Sequence, residues 1–275
     1  MSVINIPSDE TDVKDKSHYK YIRIDSSDRN PAYAGQNNSN FTVDLKETYL
    51  TQRVVSIRPY QAWVPNVFYN IRSSQGIINN AIQLDENGVG VANITIPEGQ
   101  YTITEFITAL TAAINAALTA SVVAITIDPA SKKLIFTFVG NTIAFDADIT
   151  AVNNMMPVIG LASDKAYAAV QTMDYPYNLR GYDMVYIHSK TIGKGNLIDG
   201  DSGLISTIAS VSFDNAEFGS MGYYQATYKD IDEISFTDPI DMSVVEIKLR
   251  DNKGNILDIG LDDMTIILRV ELSKN

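Results

Sequence analysis

The side chains best suited to catalysis are sparse and scattered in this sequence. Its two histidines, His18 and His188, lie far apart, each in a strand-like run beside tyrosines. A lone histidine in such a run is more often a hydrogen-bonded structural residue than a base or a metal ligand. The chain has no cysteine, no G-x-S-x-G, no Walker loop and no G-x-G-x-x-G after a strand. We therefore predict that the protein is not an enzyme.

Two acidic groupings have the oxygen ligands that Ca²⁺ prefers. One is Asp199-Gly200-Asp201, and the other joins Asp258 to Asp262 and Asp263. Asp and Gly are also the commonest turn formers, which favours turns over a metal site. Gly193-Lys194-Gly195 is too short for a phosphate loop. The sequence thus predicts no catalytic, cofactor-binding or metal-binding residues, and no cofactor.

Tyrosines in the second half of the chain offer a different chemistry, because their rings stack and their hydroxyls hydrogen-bond. They could form a sugar-stacking platform or a subunit contact. Aromatic residues are enriched in the cores of protein interfaces, which favours the subunit contact. The six candidates are Tyr175, Tyr177, Tyr182, Tyr223, Tyr224 and Tyr228.

The charge of the chain restricts its partners. Its 275 residues carry a formal net charge of −12. Sequence-independent binding of DNA or RNA depends on Lys and Arg neutralising phosphates, so we expect no direct nucleic-acid partner. No run approaches the roughly 20 apolar residues of a membrane span, and the first residues do not form a secretion signal. A cytosolic origin is the corresponding expectation.

The elements that position these residues are mostly strands. Val245, Ile247 and Leu249 alternate with charged residues, and the run 266–272 repeats this period of two. Phe41, Val43 and Leu45 alternate in the same way, so we expect Phe41, Val245 and Leu268 to line one core. We expect Pro59 to confine the strand that begins at Val54 to an edge or an end. An apolar cluster around Pro65 predicts core, and its members are Trp63, Val64, Val67, Phe68, Tyr69 and Ile71.

The middle of the chain has a helical pattern in addition to strands. Thr102 and Glu105 form a capping box ahead of a helix, with one hairpin before the helix and another after it. The apolar stripe of the helix is Phe106, Ile107, Leu110, Ala113, Ile114 and Leu118. Residues 76–164 hold eight acidic and two basic residues, a net charge of −6.

This order of strands, a compact unit and strands again predicts an insertion into one β-domain, and two domains in series are the alternative. We expect an N-terminal arm and loop at 1–38, the first part of a β-domain at 39–75, an inserted small α+β subdomain at 76–164 and the second part of the β-domain at 165–275.

Five segments of the chain carry distinctive local patterns: residues 24–30 (Ile-Asp-Ser-Ser-Asp-Arg-Asn), 40–43 (Asn-Phe-Thr-Val), 65–71 (Pro-Asn-Val-Phe-Tyr-Asn-Ile), 96–102 (Ile-Pro-Glu-Gly-Gln-Tyr-Thr) and 249–251 with Gly254 and Asn255. Taken together and in this order, they resemble the penton and minor capsid proteins of virophages and nucleocytoplasmic large DNA viruses. The resemblance implies an all-β fold, a single jelly-roll β-sandwich from which the inserted unit projects.

The resemblance also implies a function as a structural protein of the virion capsid. We expect a penton that forms homopentamers at the five-fold vertices of an icosahedral particle assembled in the host-cell cytoplasm. The implied partners are other copies of this chain, capsomers of the major capsid protein, and other minor capsid or vertex proteins. A minor or cement capsid protein is the first alternative, and a receptor- or glycan-binding β-domain is the second. The charge of −6 predicts that residues 76–164 face away from the genome and are open to protease on intact particles.

Overall fold

A computed structural model describes residues 19–45, 53–73, 78–192, 197–199, 203–214, 216–226 and 233–273. The chain divides into two compact units. The first unit takes the described residues up to Val67 and from Tyr182 onward, and the second runs from Phe68 to Gly181.

The described residues form strands and two α-helices, with a single 3-10 turn at Ser26–Asp28. In chain order the elements are β1 (Tyr19–Asp25), β2 (Asn40–Asp44), β3 (Val54–Pro65), β4 (Ala81–Glu86), β5 (Gly90–Thr95), α1 (Ile103–Ala117), β6 (Val122–Ile127), β7 (Leu134–Val139), β8 (Ile143–Phe145), α2 (Met156–Ile159), β9 (Lys165–Ala168), β10 (Val170–Thr172), β11 (Met184–His188), β12 (Leu197–Asp199), β13 (Gly203–Ile205), β14 (Thr207–Ser212), β15 (Met221–Gln225), β16 (Ile234–Ile240), β17 (Val244–Arg250) and β18 (Thr265–Leu272).

The first unit is an antiparallel β-sandwich of the jelly-roll type, as the sequence predicts. Its hydrogen-bonded order is β1-β18-β3-β15-β14-β11-β17-β2, with β16 also beside β3, and β12 pairs separately with β13. Alternate residues of β2 and β17 are buried, and Phe41, Val245 and Leu268 are 1% exposed or less. Each large apolar side chain buried in this way contributes about 1.5–3 kcal/mol to the free energy of unfolding.

The two terminal strands belong to this sheet but do not pair with each other. β17 lies between β11 and β2, whereas β18 lies between β1 and β3. The turn that follows β17 is closed by Asp251, whose carboxylate accepts hydrogen bonds from the backbone N–H of Lys253 at 2.9 Å and of Asn255 at 2.8 Å. The alternating pattern therefore identified both strands, and pairing with distant strands placed them at different positions in the sheet.

The prediction for Pro59 was wrong. Strand β3 is twelve residues long and central, because β15, β16 and β18 all pair with it. The register of β3 with β18 shifts where Leu268 pairs with Pro59, at a β-bulge or irregularity. A bulge leaves one residue without its ladder hydrogen bond, and proline has no N–H to lose there.

The second unit has two small sheets and a helix around one core. Its sheets have the orders β5-β4-β8-β9 and β10-β7-β6. Phe106, Leu110 and Ile114 of α1 pack in the same core as Phe136 and Phe145, whose ring centroids are 5.2 Å apart. The predicted capping box is present: the backbone N–H of Thr102 donates to Glu105, and the N–H of Glu105 donates to the hydroxyl of Thr102. None of the described helices is both long and apolar enough to cross a membrane.

The two units differ from the predicted boundaries at three places, the first being residues 68–73, which belong to the second unit and not to the β-domain. β9 and β10 lie beyond residue 164, yet they pair with β8 and β7 of the second unit. β1 lies inside the predicted arm, yet it pairs with β18 and buries Ile22 and Ile24. Pairing with a distant strand thus decides to which unit β9, β10 and β1 belong, and the local sequence does not show this. An insertion that folds independently remains a prediction.

Candidate functional site

His188 is a structural residue of β11. Its side chain is buried, and the hydroxyl oxygen of Thr207 lies 3.4 Å from Nε2. Burial, together with the positive charge of Arg250, lowers the pKa of His188 to about 4, so the imidazole is neutral at physiological pH. His18 lies outside the described residues.

The lowered pKa of His188 predicts a pH-dependent stability. An unfolded histidine has a pKa of about 6.5, so between pH 6.5 and 4 the unfolded chain binds a proton that the folded chain does not. Stability therefore falls as the pH falls through this window. We expect wild-type protein to lose about 2 kcal/mol more than H188Q between pH 7 and 4, measured by denaturant unfolding. Equal losses would contradict a buried neutral imidazole.

The predicted acidic groupings serve local structure where the structure describes them. Asp258 accepts a hydrogen bond from the N–H of Gly260 at 2.8 Å, and Asp263 accepts one from the hydroxyl of Ser26 at 2.6 Å. Gly200 and Asp201, like residues 193–195, lie outside the described residues. Within the described part of the chain, no group of three or more His, Asp or Glu could hold a metal ion.

The segment that follows β1 joins three parts of the first unit. Ser26 is fully buried, and its hydroxyl accepts from the N–H of Met264 at 3.1 Å. Arg29 donates to the side chain of Asn38 at 2.6 Å. Burial raises the pKa of Asp25, but hydrogen bonds from Ser27 and Thr265 outweigh this effect and lower it. The segment 24–30 is thus a structural junction.

Asn70 has the same role in the second unit, where it is 2% exposed. Its Nδ2 donates to the carbonyl oxygens of Tyr101 at 2.8 Å and Leu179 at 3.1 Å, and its Oδ1 accepts from the N–H of Tyr101 at 2.9 Å. The backbone N–H of Asn70 donates to Gln100 at 3.1 Å. One side chain therefore ties together the start, the helix entry and the end of the unit.

The structure divides the predicted tyrosine group between the units. Tyr175 and Tyr177 belong to the second unit, Tyr182, Tyr223 and Tyr224 belong to the first, and Tyr228 lies outside the described residues. Tyr223 is 43% exposed, and its ring centroid lies 5.4 Å from that of Trp63. The predicted core cluster around Pro65 is confirmed for Val64, Phe68 and Ile71, which are buried, but Trp63 is half-buried and Tyr69 is 40% exposed.

Trp63 and Tyr223 lie in a row that crosses five strands of the first unit without a charge. The row is Met184, Ser212, Tyr223, Trp63 and Thr265, each directly opposite the next. The flanking pairs Gln61–Gln225 and Pro65–Met221 are also uncharged, and the row ends at Asp25 of β1, which lies opposite Thr265. We call this set the aromatic band: Gln61, Trp63, Pro65, Met184, Ser212, Met221, Tyr223, Gln225 and Thr265.

Four members of the aromatic band are exposed, whereas Trp63 is half-buried and Pro65 is buried. Met184 and Met221 are 39% and 47% exposed. The hydroxyl of Tyr223 accepts from Gln61 at 2.9 Å and donates to Gln225 at 3.0 Å, which fixes the ring. Large aromatic and Met side chains are typical of interface cores, and charged groups are depleted there. This composition is typical of a docking surface.

A cluster of arginine and tyrosine lies on the neighbouring strands of the same face. Tyr21, Arg269 and Arg58 are directly opposite one another on β1, β18 and β3. The guanidinium of Arg269 lies 4.7 Å from the ring centroid of Tyr19. Burial, and then Tyr60, raises the pKa of Tyr21, so its hydroxyl stays neutral. Arg and Tyr are also typical of interfaces.

The second unit has an open hollow of about 480 Å³ beside its four-stranded sheet. Asp85, Asp146, Asp164 and Lys165 are among its lining residues. Lys165 forms an ion pair with Asp174. Burial raises the pKa of Asp174, but the ion pair with Lys165 and the hydrogen bonds from Ala162 and Ser163 outweigh burial and lower this pKa to about 2. The hollow is therefore acidic, and its one lysine is already paired.

Comparison with solved structures gives a fold likeness over most of the chain. The crystal structure of the mavirus penton protein aligns with a TM-score of 0.55 and 11% sequence identity. The alignment covers 93% of this chain and 100% of that chain. The resemblance in fold predicted from the sequence is thereby confirmed. The sequence matches no protein family and no curated protein.

Proposed function

We propose that this protein is a structural subunit of a viral capsid, namely a penton that forms homopentamers at the five-fold vertices of an icosahedral virion. The observation that carries the proposal is the fold likeness to the mavirus penton protein, which covers 93% of the chain and includes the second unit. The partners proposed are other copies of this chain, the major capsid protein capsomers, and other minor capsid or vertex proteins.

The aromatic band supports an assembly role. A five-membered ring uses a heterologous interface, in which two different patches of each subunit meet. Each subunit carries a net charge of −12, so a contact between copies must keep carboxylates apart. The aromatic band of the first unit carries no charged side chain, which meets this requirement. Location in the virion capsid follows from the proposal, with assembly in the host-cell cytoplasm.

Native mass spectrometry of the purified chain tests the proposal. We expect a species with five times the mass of one chain, together with free subunits on dilution. A chain that stays monomeric at every concentration would overturn the penton assignment. The same measurement separates the alternatives, because neither a cement protein nor a glycan-binding domain requires a ring of five. Labelling of virions away from the vertices would also contradict the assignment.

A further inference from the structure

The three-stranded sheet of the second unit presents an outward face without a charged side chain. Its rows of cross-strand neighbours are Val122–Val139, Ala124–Thr137–Val170 and Thr126–Ile135–Thr172. The intervening residues of these strands, such as Val123 and Phe136, are buried in the core. Val122, Val139 and Val170 are 55%, 68% and 56% exposed. The solvent face of an antiparallel sheet is ordinarily polar, so this face is unusual.

Helix α1 extends this surface beyond β6. Asn115 accepts from the N–H of Val123 at 2.6 Å and donates to its carbonyl oxygen at 3.3 Å, so the helix lies along the edge of β6. Glu105 is the single charged residue in the fifteen residues of α1, and it is used in the cap. The exposed side chains Thr108, Ala112 and Ala116 are small and neutral. The eight sheet residues and these three helix residues form what we call the uncharged face.

The acidic residues of the second unit are concentrated elsewhere. Asp85, Asp146 and Asp164 line the hollow beside the four-stranded sheet. Residues 76–164 carry a net charge of −6, and none of that charge is on the uncharged face. A neighbour with its own excess of carboxylates therefore meets the least repulsion at this face.

We propose that the uncharged face docks against a neighbouring copy of this chain. The inference rests on the proposed homopentamer and adds a second area of contact to it. Two chains of charge −12 repel, and a contact between them meets the least repulsion where neither surface presents carboxylates without a basic partner. The β-branched side chains of the sheet are stiff, so they lose little rotamer freedom when they are covered.

The size of the uncharged face indicates what it can contribute. Three strands spaced about 4.8 Å apart and a helix about 10 Å across give a width of about 24 Å. With strands about 20 Å long, the face covers about 480 Å², compared with about 800 Å² per partner in a standard interface. The face is thus too small to hold two copies together alone. It strengthens a ring whose main contact is made by the first unit.

A matched pair of double variants of the full chain tests this inference. Val139→Lys with Val170→Lys places two charges on the uncharged face. Val91→Lys with Thr95→Lys adds the same two charges to exposed positions of β5, where Val91 is 61% exposed. Thermal unfolding followed by circular dichroism establishes that both variants fold. Native mass spectrometry over a dilution series then gives the concentration at which half of the pentamer has dissociated.

We expect the V139K/V170K chain to dissociate at a concentration at least ten-fold higher than wild type, and the V91K/T95K chain to stay within three-fold. An Ala112→Lys variant is expected to shift in the same direction as V139K/V170K. If the wild-type and V139K/V170K pentamers dissociate at the same concentration, this inference is overturned and the proposed function is left intact. A wild-type chain that never forms pentamers would overturn both.

Discussion

A chain carrying Trp63→Ser and Tyr223→Ser is expected to remain monomeric at concentrations at which the unaltered chain forms pentamers. Truncation of a buried Trp or Tyr anchor in an interface costs about 2 kcal/mol or more, so the two changes weaken each subunit contact about a thousand-fold. These rings form the centre of the aromatic band, and neither is part of the buried core. Analytical ultracentrifugation over a concentration series measures the change.

Two further variants make this result interpretable. Leu261→Ser removes an apolar side chain that is 98% exposed and lies outside the aromatic band, so we expect it to assemble as wild type does. Met221→Lys changes an exposed residue of the band without removing the contact between Trp63 and Tyr223. We expect it to weaken assembly while the thermal unfolding temperature stays within a few degrees of wild type. Full pentamer formation by both band variants would show that subunits meet elsewhere.

Asn70→Ala is expected to lower the free energy of unfolding of the second unit by about 3–5 kcal/mol, because each buried polar group left without a partner costs about 1–3 kcal/mol. The change removes the Asn70 partner from the N–H of Tyr101 and from the carbonyl oxygens of Tyr101 and Leu179. Hydrogen exchange of the backbone amides in 78–181 measures the loss without assuming that both units unfold together.

Asn80→Ala is the matched control for this prediction. Asn80 is partly buried, and its side chain donates one hydrogen bond, to the carbonyl oxygen of Ile96 at 3.2 Å. The backbone carbonyl of Asn80 keeps its bond from the N–H of Ile96 after the substitution. We expect a loss of about 1 kcal/mol or less. If Asn70→Ala loses no more protection than Asn80→Ala, the three segments are held together by packing alone.

Local sequence patterns predicted most of the elements correctly. The period of two identified β2, β17 and β18, the capping box at Thr102 placed the start of α1, and turn residues marked both hairpins of the second unit. These signals depend on residues a few positions apart, so they are complete within the sequence. The jelly-roll class followed from the resemblance, and the order of the elements predicted an insertion into one β-domain.

The orientation of Trp63 and the position of Pro59 in the sheet were predicted less well. Trp63 was assigned to the core because it belongs to an apolar cluster, which gives no direction to its single side chains, and the register of β3 with β15 and β18 then placed it half-buried on the outer face. Pro59 was assigned to an edge because a regular ladder excludes proline, but a change of register at Leu268 accommodates it. In both cases the deciding partner is more than 150 residues away in sequence.

The sequence by itself determined the strands, the helix, the acidic charge and the absence of recognisable catalytic motifs. Only the tertiary structure decided which side chains share a surface, since the row through Trp63 joins residues of five strands between positions 63 and 265. Asn70 likewise acquired its role from carbonyl groups 31 and 109 residues away. The physical reason is that local propensity acts over one turn or one strand, whereas a docking surface is composed by pairings between distant strands.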